Sequence, residues 1–368
     1  MKSLFDPVQV GKLRLPNRVV MAPLTRNRAP NAIPTPLMAE YYAQRATAGL
    51  LISEATAITH QGQGYADVPG LYSTEQLDGW KKVTKAVHEG RIYCQLWHVG
   101  RVSHVDLQPH AQKPVAPSAI PARTKTYLIT NGTGAFVPVS EPRALDAEEL
   151  PGIVRDFRHA ARNAISAGFD GVEVHGANGY LLDQFLKTGA NHRDDAYGGS
   201  VENRARLLLE VMREVCEELG PERVGLRLSP VTPANDIADA NPQPLFDHVV
   251  RQLGPLGLAY LHLIEGSTGG PREVEGRPFD YQAMLQAWRA AGAKGAWMVN
   301  NGYTRELAEQ ALAQGADLVA FGRPYIANPD LVERLRANAP LNEVERATLY
   351  GGGAKGYTDY PALQGATA

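Results

Sequence analysis

The sequence predicts one (β/α)8 barrel. Three observations carry that reading. Eight short apolar runs recur along the 368 residues. Amphipathic helical patterns lie between them. The order helix, glycine, strand repeats, as in Ala167-Gly168-Phe169-Asp170-Gly171 and Gly315-Ala316-Asp317-Leu318. Repeated βα units argue for a parallel sheet. Such a barrel needs about 250 residues, and loop insertions raise that figure. The expectation is one domain over residues 1–368, with the barrel at about 18–340.

Val8–Val10 and Leu13–Leu15 flank Gly11-Lys12 and read as a hairpin that plugs the barrel bottom. The eight runs are Arg18–Leu24, Leu50–Ala57, Ile92–His98, Gly171–His175, Val224–Leu228, Tyr260–Ile264, Ala296–Val299 and Leu318–Phe321. They lack strict alternation, as strands buried on both faces do. Among the helices, Ser73 with Gln76 makes a capping box before Leu77, Trp80, Val83 and Val87. Asp146 with Glu149 opens another, and Thr304 a third. Asn328-Pro329 reads as an N-cap with proline at the first helical position. No G-x-G-x-x-G follows the first strand, which leaves the open dinucleotide-binding sheet without its best support. Two long insertions follow strands: 101–143, with a hairpin around Lys125–Thr130 and Ala135–Val139, and 266–279. The tail, 341–368, is expected to fold back over the barrel.

Lysine and arginine total 37 and aspartate and glutamate 39, a net charge of −2 without charged blocks. That argues against nucleic acid or anionic membrane as the main partner. No run of about 18 apolar residues exists to span a membrane. Two cysteines, Cys94 and Cys216, make neither a disulfide framework nor a paired zinc motif. No apolar signal region opens the chain, so a cytoplasmic protein is expected.

Polar residues gather at the predicted strand ends: Thr25 and Arg26; Gln95, Trp97 and His98; His175, Asn178 and Tyr180; Arg227; Asn300, Asn301 and Gly302; Gly322 and Arg323. A hydrogen-bonded core network explains any one of them; the set reads as a ligand site. The ends of strands seven and eight are where this fold binds phosphate. Gly302 and Gly322 let backbone N–H groups approach an anion, and Arg323 adds charge. No lysine stands at a strand end for a Schiff base. His98 and His104 lack nearby ligands, so no metal is expected. Glu54 and Glu173 fall on strands and are expected to be buried against arginines.

These residues carry a family resemblance over nearly the whole chain. Asn17-Arg18-Val19-Val20-Met21-Ala22-Pro23-Leu24-Thr25-Arg26, Gln95-Leu96-Trp97-His98-Val99-Gly100-Arg101, Gly168 to His175, Gly179 to Leu186 and Tyr197 to Arg204 resemble the old yellow enzymes. Within them, the chain is similar to the bacterial flavin ene-reductases, which include maleimide and nitrate-ester reductases.

The resemblance implies non-covalent FMN, reduced by NADPH or NADH. It implies that Pro23, Leu24 and Ala55 line the flavin, and that Thr25 bonds its O4. Gln95 would meet the pyrimidine edge and Arg227 would sit by N1 and O2. Asn301, Gly302, Gly322 and Arg323 would hold the phosphate. His175 and Asn178 would bond the oxygen of an enone, maleimide or nitroalkene, and Tyr180 would protonate its α-carbon. Tyr65, Trp97 and Tyr350 would shape the substrate pocket. The same machinery suits a nitrate-ester or nitro-compound reductase. A flavin-free phosphate-ligand barrel is the competing class; its lysine base or paired carboxylates are missing. Passive flavin storage would not need Tyr180. Segment 86–92 is about two residues shorter than usual for the family.

Overall fold

The computed structural model describes residues 2–88 and 90–363. Eight parallel strands form the barrel: β1 Val19–Met21, β2 Leu50–Ile52, β3 Ile92–Trp97, β4 Gly171–Gly176, β5 Val224–Leu228, β6 Tyr260–Ile264, β7 Ala296–Asn300 and β8 Leu318–Phe321. Each pairs with the next, and β8 pairs with β1, so no barrel edge is left open. The (β/α)8 expectation holds.

Alternation along each strand explains why both faces are apolar. Val19, Met21, Leu51, Val172, Leu226, Leu261 and Val319 point out and join the helices in the main core. Val20, Leu50, Ile52, Tyr93, Tyr260, Ala296, Met298 and Leu318 point in and fill the lower barrel. Val10 and Leu15 of the N-terminal hairpin belong to this inner cluster, so the hairpin does close the bottom. Gly11 is needed at its turn: φ is +52°, and a Cβ would lie 1.9 Å from the Glu222 carbonyl oxygen.

The helices are α1 Pro36–Ala43, α2 Thr74–Val87, α3 Leu150–Ser166, α4 Leu181–Leu186, α5 Val201–Leu219, α6 Pro242–Leu253, α7 Tyr281–Ala290, α8 Arg305–Ala313, α9 Arg323–Ala327 and α10 Leu331–Ala337. The Ser73–Gln76 capping box forms, Glu149 reaches back to the Asp146 N–H at 2.8 Å, and Thr304 caps α8. The insertion hairpin pairs Lys125–Thr130 with Thr133–Pro138.

Three boundaries differ from expectation. β1 stops early because Pro23 has no N–H for the ladder. The second run breaks at Ser53–Ala55, where the Ser53 and Thr56 hydroxyls both donate to the Glu54 carbonyl, each at 2.9 Å. Asn328 is no N-cap: it ends α9, its Nδ2 donating to the Pro324 carbonyl at 2.8 Å, and α10 begins after Asp330. Asn328 is committed elsewhere because its Oδ1 also accepts from Asn342 N–H of the tail, at 2.7 Å. Segment 86–92 includes Glu89, which lies outside the described residues.

Of the expected tail, residues 341–363 are described and 364–368 lie outside the described residues. Buried arginines hold it. Arg26 donates to the carbonyls of Leu349 and Gly356, at 2.9 and 2.8 Å. Arg28 donates to Gly353 and Thr348, at 3.1 and 2.9 Å. Tyr357 is buried and stacks on Tyr41, ring centroids 4.0 Å apart. Among the described residues no helix is long and apolar enough to cross a membrane, and no group of His, Cys, Asp and Glu is placed to hold a metal.

Candidate active site

Above the apolar lower barrel, alternation turns four polar side chains inward: Gln95 on β3, Glu173 on β4, Arg227 on β5 and His262 on β6. Glu173 is in register with Gln95, and Arg227 with His262. Gln95 Nε2 donates to Glu173 Oε1 at 2.7 Å, and His262 Nδ1 lies 2.8 Å from Glu173 Oε2. Burial alone would raise the Glu173 pKa. His262, Arg227 and Gln95 outweigh it and hold the carboxyl below its usual range, so it is ionised. Burial lowers the His262 pKa. The ring is neutral, with its proton on Nδ1, because Nε2 has no partner to receive one.

Arg227 gives Nη2 to Asn300 Oδ1 at 2.8 Å, while its buried Nε has no partner. The expected arginine pairs are therefore corrected. Glu173 is held by Gln95 and His262. Glu54 meets Tyr42, whose hydroxyl donates to Glu54 Oε1 at 3.4 Å, and makes no ion pair among the described residues. In each case a neutral donor on a neighbouring element reaches the carboxylate first.

The next layer up holds the sequence-predicted catalytic residues. After β4 the chain makes a tight turn, with φ +60° at Asn178 and +75° at Gly179. A Cβ on Gly179 would lie 2.8 Å from the Ala234 carbonyl oxygen, so glycine is required. A buried pair underneath pins this turn, and sequence reasoning missed it. Gly179 N–H donates to Asp183 Oδ2 at 2.8 Å, and Lys187 Nζ bridges Asp183 to the Ser229 carbonyl. The Ser229 hydroxyl accepts Asn178 N–H at 2.8 Å. The i, i+4 spacing of Asp183 and Lys187 was the available signal.

His175 Nδ1 accepts Ala177 N–H at 3.3 Å, which places the ring proton on Nε2. Burial pushes the His175 pKa well down, helped by Arg227 and His262, so the imidazole is neutral. Its ring lies 5.1 Å from Tyr180, edge to face, and 6.4 Å from Trp97. Tyr180 meets Trp97 edge to face at 4.9 Å, and Tyr65 stacks on Trp97 at 5.6 Å. Ala55 and Val68 close this aromatic wall.

Across the barrel mouth stand the remaining predicted residues. The half-buried Thr25 has no hydrogen-bond partner for its hydroxyl among the described residues. Pro23 and Leu24 are half-buried beside it, and a Cβ on Gly322 would sit 3.5 Å from Leu24 Cδ2. Gly302, at φ +66°, faces open space at the end of β7, next to β8 and Gly322. Exposed Arg323 makes no ion pair among the described residues, and its Nη2 lies 2.9 Å from where a Gly269 Cβ would be. The Asn301 side chain is fully used: it donates to the carbonyls of Glu265 and Ser267 and accepts Gly269 N–H. Only its backbone is left for an anion.

Two strand-end residues stand apart. Arg26 serves the tail. His98 Nδ1 accepts Gly100 N–H at 3.1 Å, and burial pushes its pKa down to about 3. Tyr350 is 47% exposed and rests on Phe136 of the insertion hairpin, ring centroids 5.8 Å apart, at the outer rim. The hairpin is tied to the Tyr65 segment through the Ala66 N–H to Tyr127 carbonyl bond, 2.8 Å.

The model of the NADH:flavin oxidoreductase / NADH oxidase family matches residues 3–342. 12-Oxophytodienoate reductase 7 of Oryza sativa subsp. japonica is 46% identical, covering 98% of this chain and 94% of the relative. 12-Oxophytodienoate reductase 2 of Arabidopsis thaliana is 43% identical over 98% of this chain and 96% of its own. Morphinone reductase superposes with a TM-score of 0.93 at 48% identity, over 100% of this chain and 98% of that one. An old yellow enzyme homologue from Zymomonas mobilis superposes with a TM-score of 0.93 at 42% identity, over 98% and 100%. One morphinone reductase structure is a complex with tetrahydroNAD.

Proposed function

This chain belongs to the NADH:flavin oxidoreductase / NADH oxidase family, the old yellow enzymes, and is a nicotinamide-dependent flavin oxidoreductase; on that premise we propose that it reduces alkenes conjugated to a carbonyl or nitro group. The observation that carries the reading is a neutral His175 and Tyr180 packed with Trp97 in one buried aromatic wall, with Asn178 on the same turn.

The uncommitted polar groups at the mouth suit FMN. Among the described residues, Arg227 Nε is buried without a partner, the Thr25 hydroxyl has none, and the Gln95 carboxamide has only its amino group engaged. Pro23, Leu24 and Ala55 would flank the ring system. The backbone of Asn301, with Gly302, Gly322 and Arg323, would take the phosphate, where N–H groups and one cation meet. Bound there, FMN would supply hydride to the substrate, drawn from NADH or NADPH. A fixed cation at Arg227 favours the extra negative charge of the reduced ring.

The chain's own residues do the rest. His175 Nε2–H and the Asn178 carboxamide donate to the substrate oxygen, where charge grows as hydride reaches the β-carbon. A preorganised donor of this kind is worth roughly 10²–10³ in rate. Tyr180 gives its proton to the α-carbon, which completes the saturated product. Trp97, Tyr65 and Tyr350 limit water and set the shape of the pocket.

The test follows the visible spectrum of the purified protein under argon. NADH or NADPH should bleach a flavin band, and 2-cyclohexenone should restore it. A band that bleaches and stays bleached leaves the cofactor and rejects the substrate class. No band after added FMN rejects the whole reading.

A further inference from the structure

Asn178 can polarise a substrate only if its carboxamide presents nitrogen to the pocket, and an amide is free to present either end. The loop after β6 decides which. Thr268 Oγ1 lies 2.6 Å from Asn178 Oδ1, and Thr232 Oγ1 lies 3.1 Å from Thr268 Oγ1. Thr232 Oγ1 also accepts two backbone N–H groups, from Thr268 at 3.1 Å and Ala234 at 3.4 Å. Its two lone pairs are thus committed. Its own proton goes to Thr268, and the Thr268 proton goes to Asn178 Oδ1. The polarity of this chain is set by the backbone, and it leaves both Nδ2 protons of Asn178 uncommitted. Asn235 Nδ2 holds the Asn178 carbonyl at 2.9 Å, so the backbone of that residue is fixed as well.

We infer that Thr268 is a positioning residue for alkene reduction: its hydroxyl, oriented by buried Thr232, locks the Asn178 carboxamide with nitrogen toward the substrate oxygen. The inference rests on the donor role of Asn178 proposed above. Thr268 sits on the loop that Asn301 staples to the barrel, through the carbonyls of Glu265, Ser267 and Gly270. The conformation of that loop therefore sets the amide.

Thr268 is exposed, so replacing it disturbs no core. In Thr268→Val holoenzyme, reoxidation of reduced flavin by 2-cyclohexenone should slow about tenfold at saturating enone. Thr268→Ser should restore it. Binding of unreactive cyclohexanone, read from the oxidised flavin spectrum, should weaken severalfold in the valine variant alone. In an Asn178→Ala background, Thr268→Val should change the rate less than twofold, since coupled residues do not add. An unchanged Thr268→Val rate beside a slowed Asn178→Ala overturns this inference and keeps the donor role. An equal loss from Thr268→Val in both backgrounds also overturns it, because Thr268 would then act only on the loop. A silent Asn178→Ala overturns the donor role and this inference together.

Discussion

The hydroxyls of Tyr65 and Tyr180 lie 3.2 Å apart, and either can donate to the other. Burial raises the Tyr180 pKa, while hydrogen bonds from Tyr65 and Asn235 pull it back. The Tyr65 pKa is raised by burial and further by its bond to Tyr180. With Tyr65 as the donor, the Tyr180 proton would be free to leave, and the phenolate left behind would keep a hydrogen bond. Tyr180→Phe should slow reoxidation by an enone about 10²-fold or more. Tyr65→Phe should slow it by about tenfold or less. Stopped-flow traces with each variant check this. A Tyr65→Phe loss as large as that of Tyr180→Phe would reverse the assignment of donor and acceptor.

The same burial makes a statement about pH. His175 is held neutral by a pKa well below its usual value, first through burial and then through Arg227. Tyr180 keeps its proton because its pKa is raised. Acidification toward pH 6 should not charge the imidazole, and alkalinisation toward pH 9 should not ionise the phenol. The limiting rate of enone reduction should be flat between those values. A step inside that window would mean that one of these groups titrates there.

The phosphate assignment has its own control in riboflavin. Arg323 is exposed and unpaired beside Gly269, and its guanidinium would form a charge-assisted bond to phosphate. Arg323→Ala should weaken FMN binding by apoprotein about tenfold, measured by fluorescence quenching. Riboflavin, which lacks the phosphate, should bind wild type and variant alike. Equal losses for both ligands would place the arginine against the ring or ribityl chain.

How much of this was legible in the sequence depends on the distance over which each feature is built. The eight strands and the Ser73 and Thr304 caps depend on residues within a few positions, and they stand where the pattern places them. His175, Asn178 and Tyr180 share one turn, so the motif brings them together unaided. Strand-end position alone did not reveal that Arg26 serves the tail, through the carbonyls of Leu349 and Gly356. Glu173 was expected to meet an arginine and instead meets His262, 89 positions away. Thr268, 90 positions from Asn178, carried no local signal at all. Partners of that kind are set by barrel closure, and no spacing rule reaches across it.

Glu54 gives a last prediction, about stability. Its carboxyl is buried below Tyr42, Oε2 has no partner, and burial raises its pKa from 4.5 to about 7 against the pull of Arg26 and Arg28. Folding therefore takes up a proton. The contribution is full below about pH 4.5 and is lost as pH rises through about 7. The loss is on the order of 1–3 kcal/mol. Glu54→Gln keeps the shape and removes the titration. Its melting temperature relative to wild type should rise between pH 5 and pH 8, by about 1–4 °C. The affected ground is the tail that Arg26 and Arg28 hold, so limited proteolysis of residues 345–361 should follow the same pH course in wild type and lose it in the variant. If the melting temperature of Glu54→Gln relative to wild type instead stays flat or falls from pH 5 to pH 8, attraction to the two arginines matches or exceeds the cost of burial, and the folded carboxyl pKa is not raised.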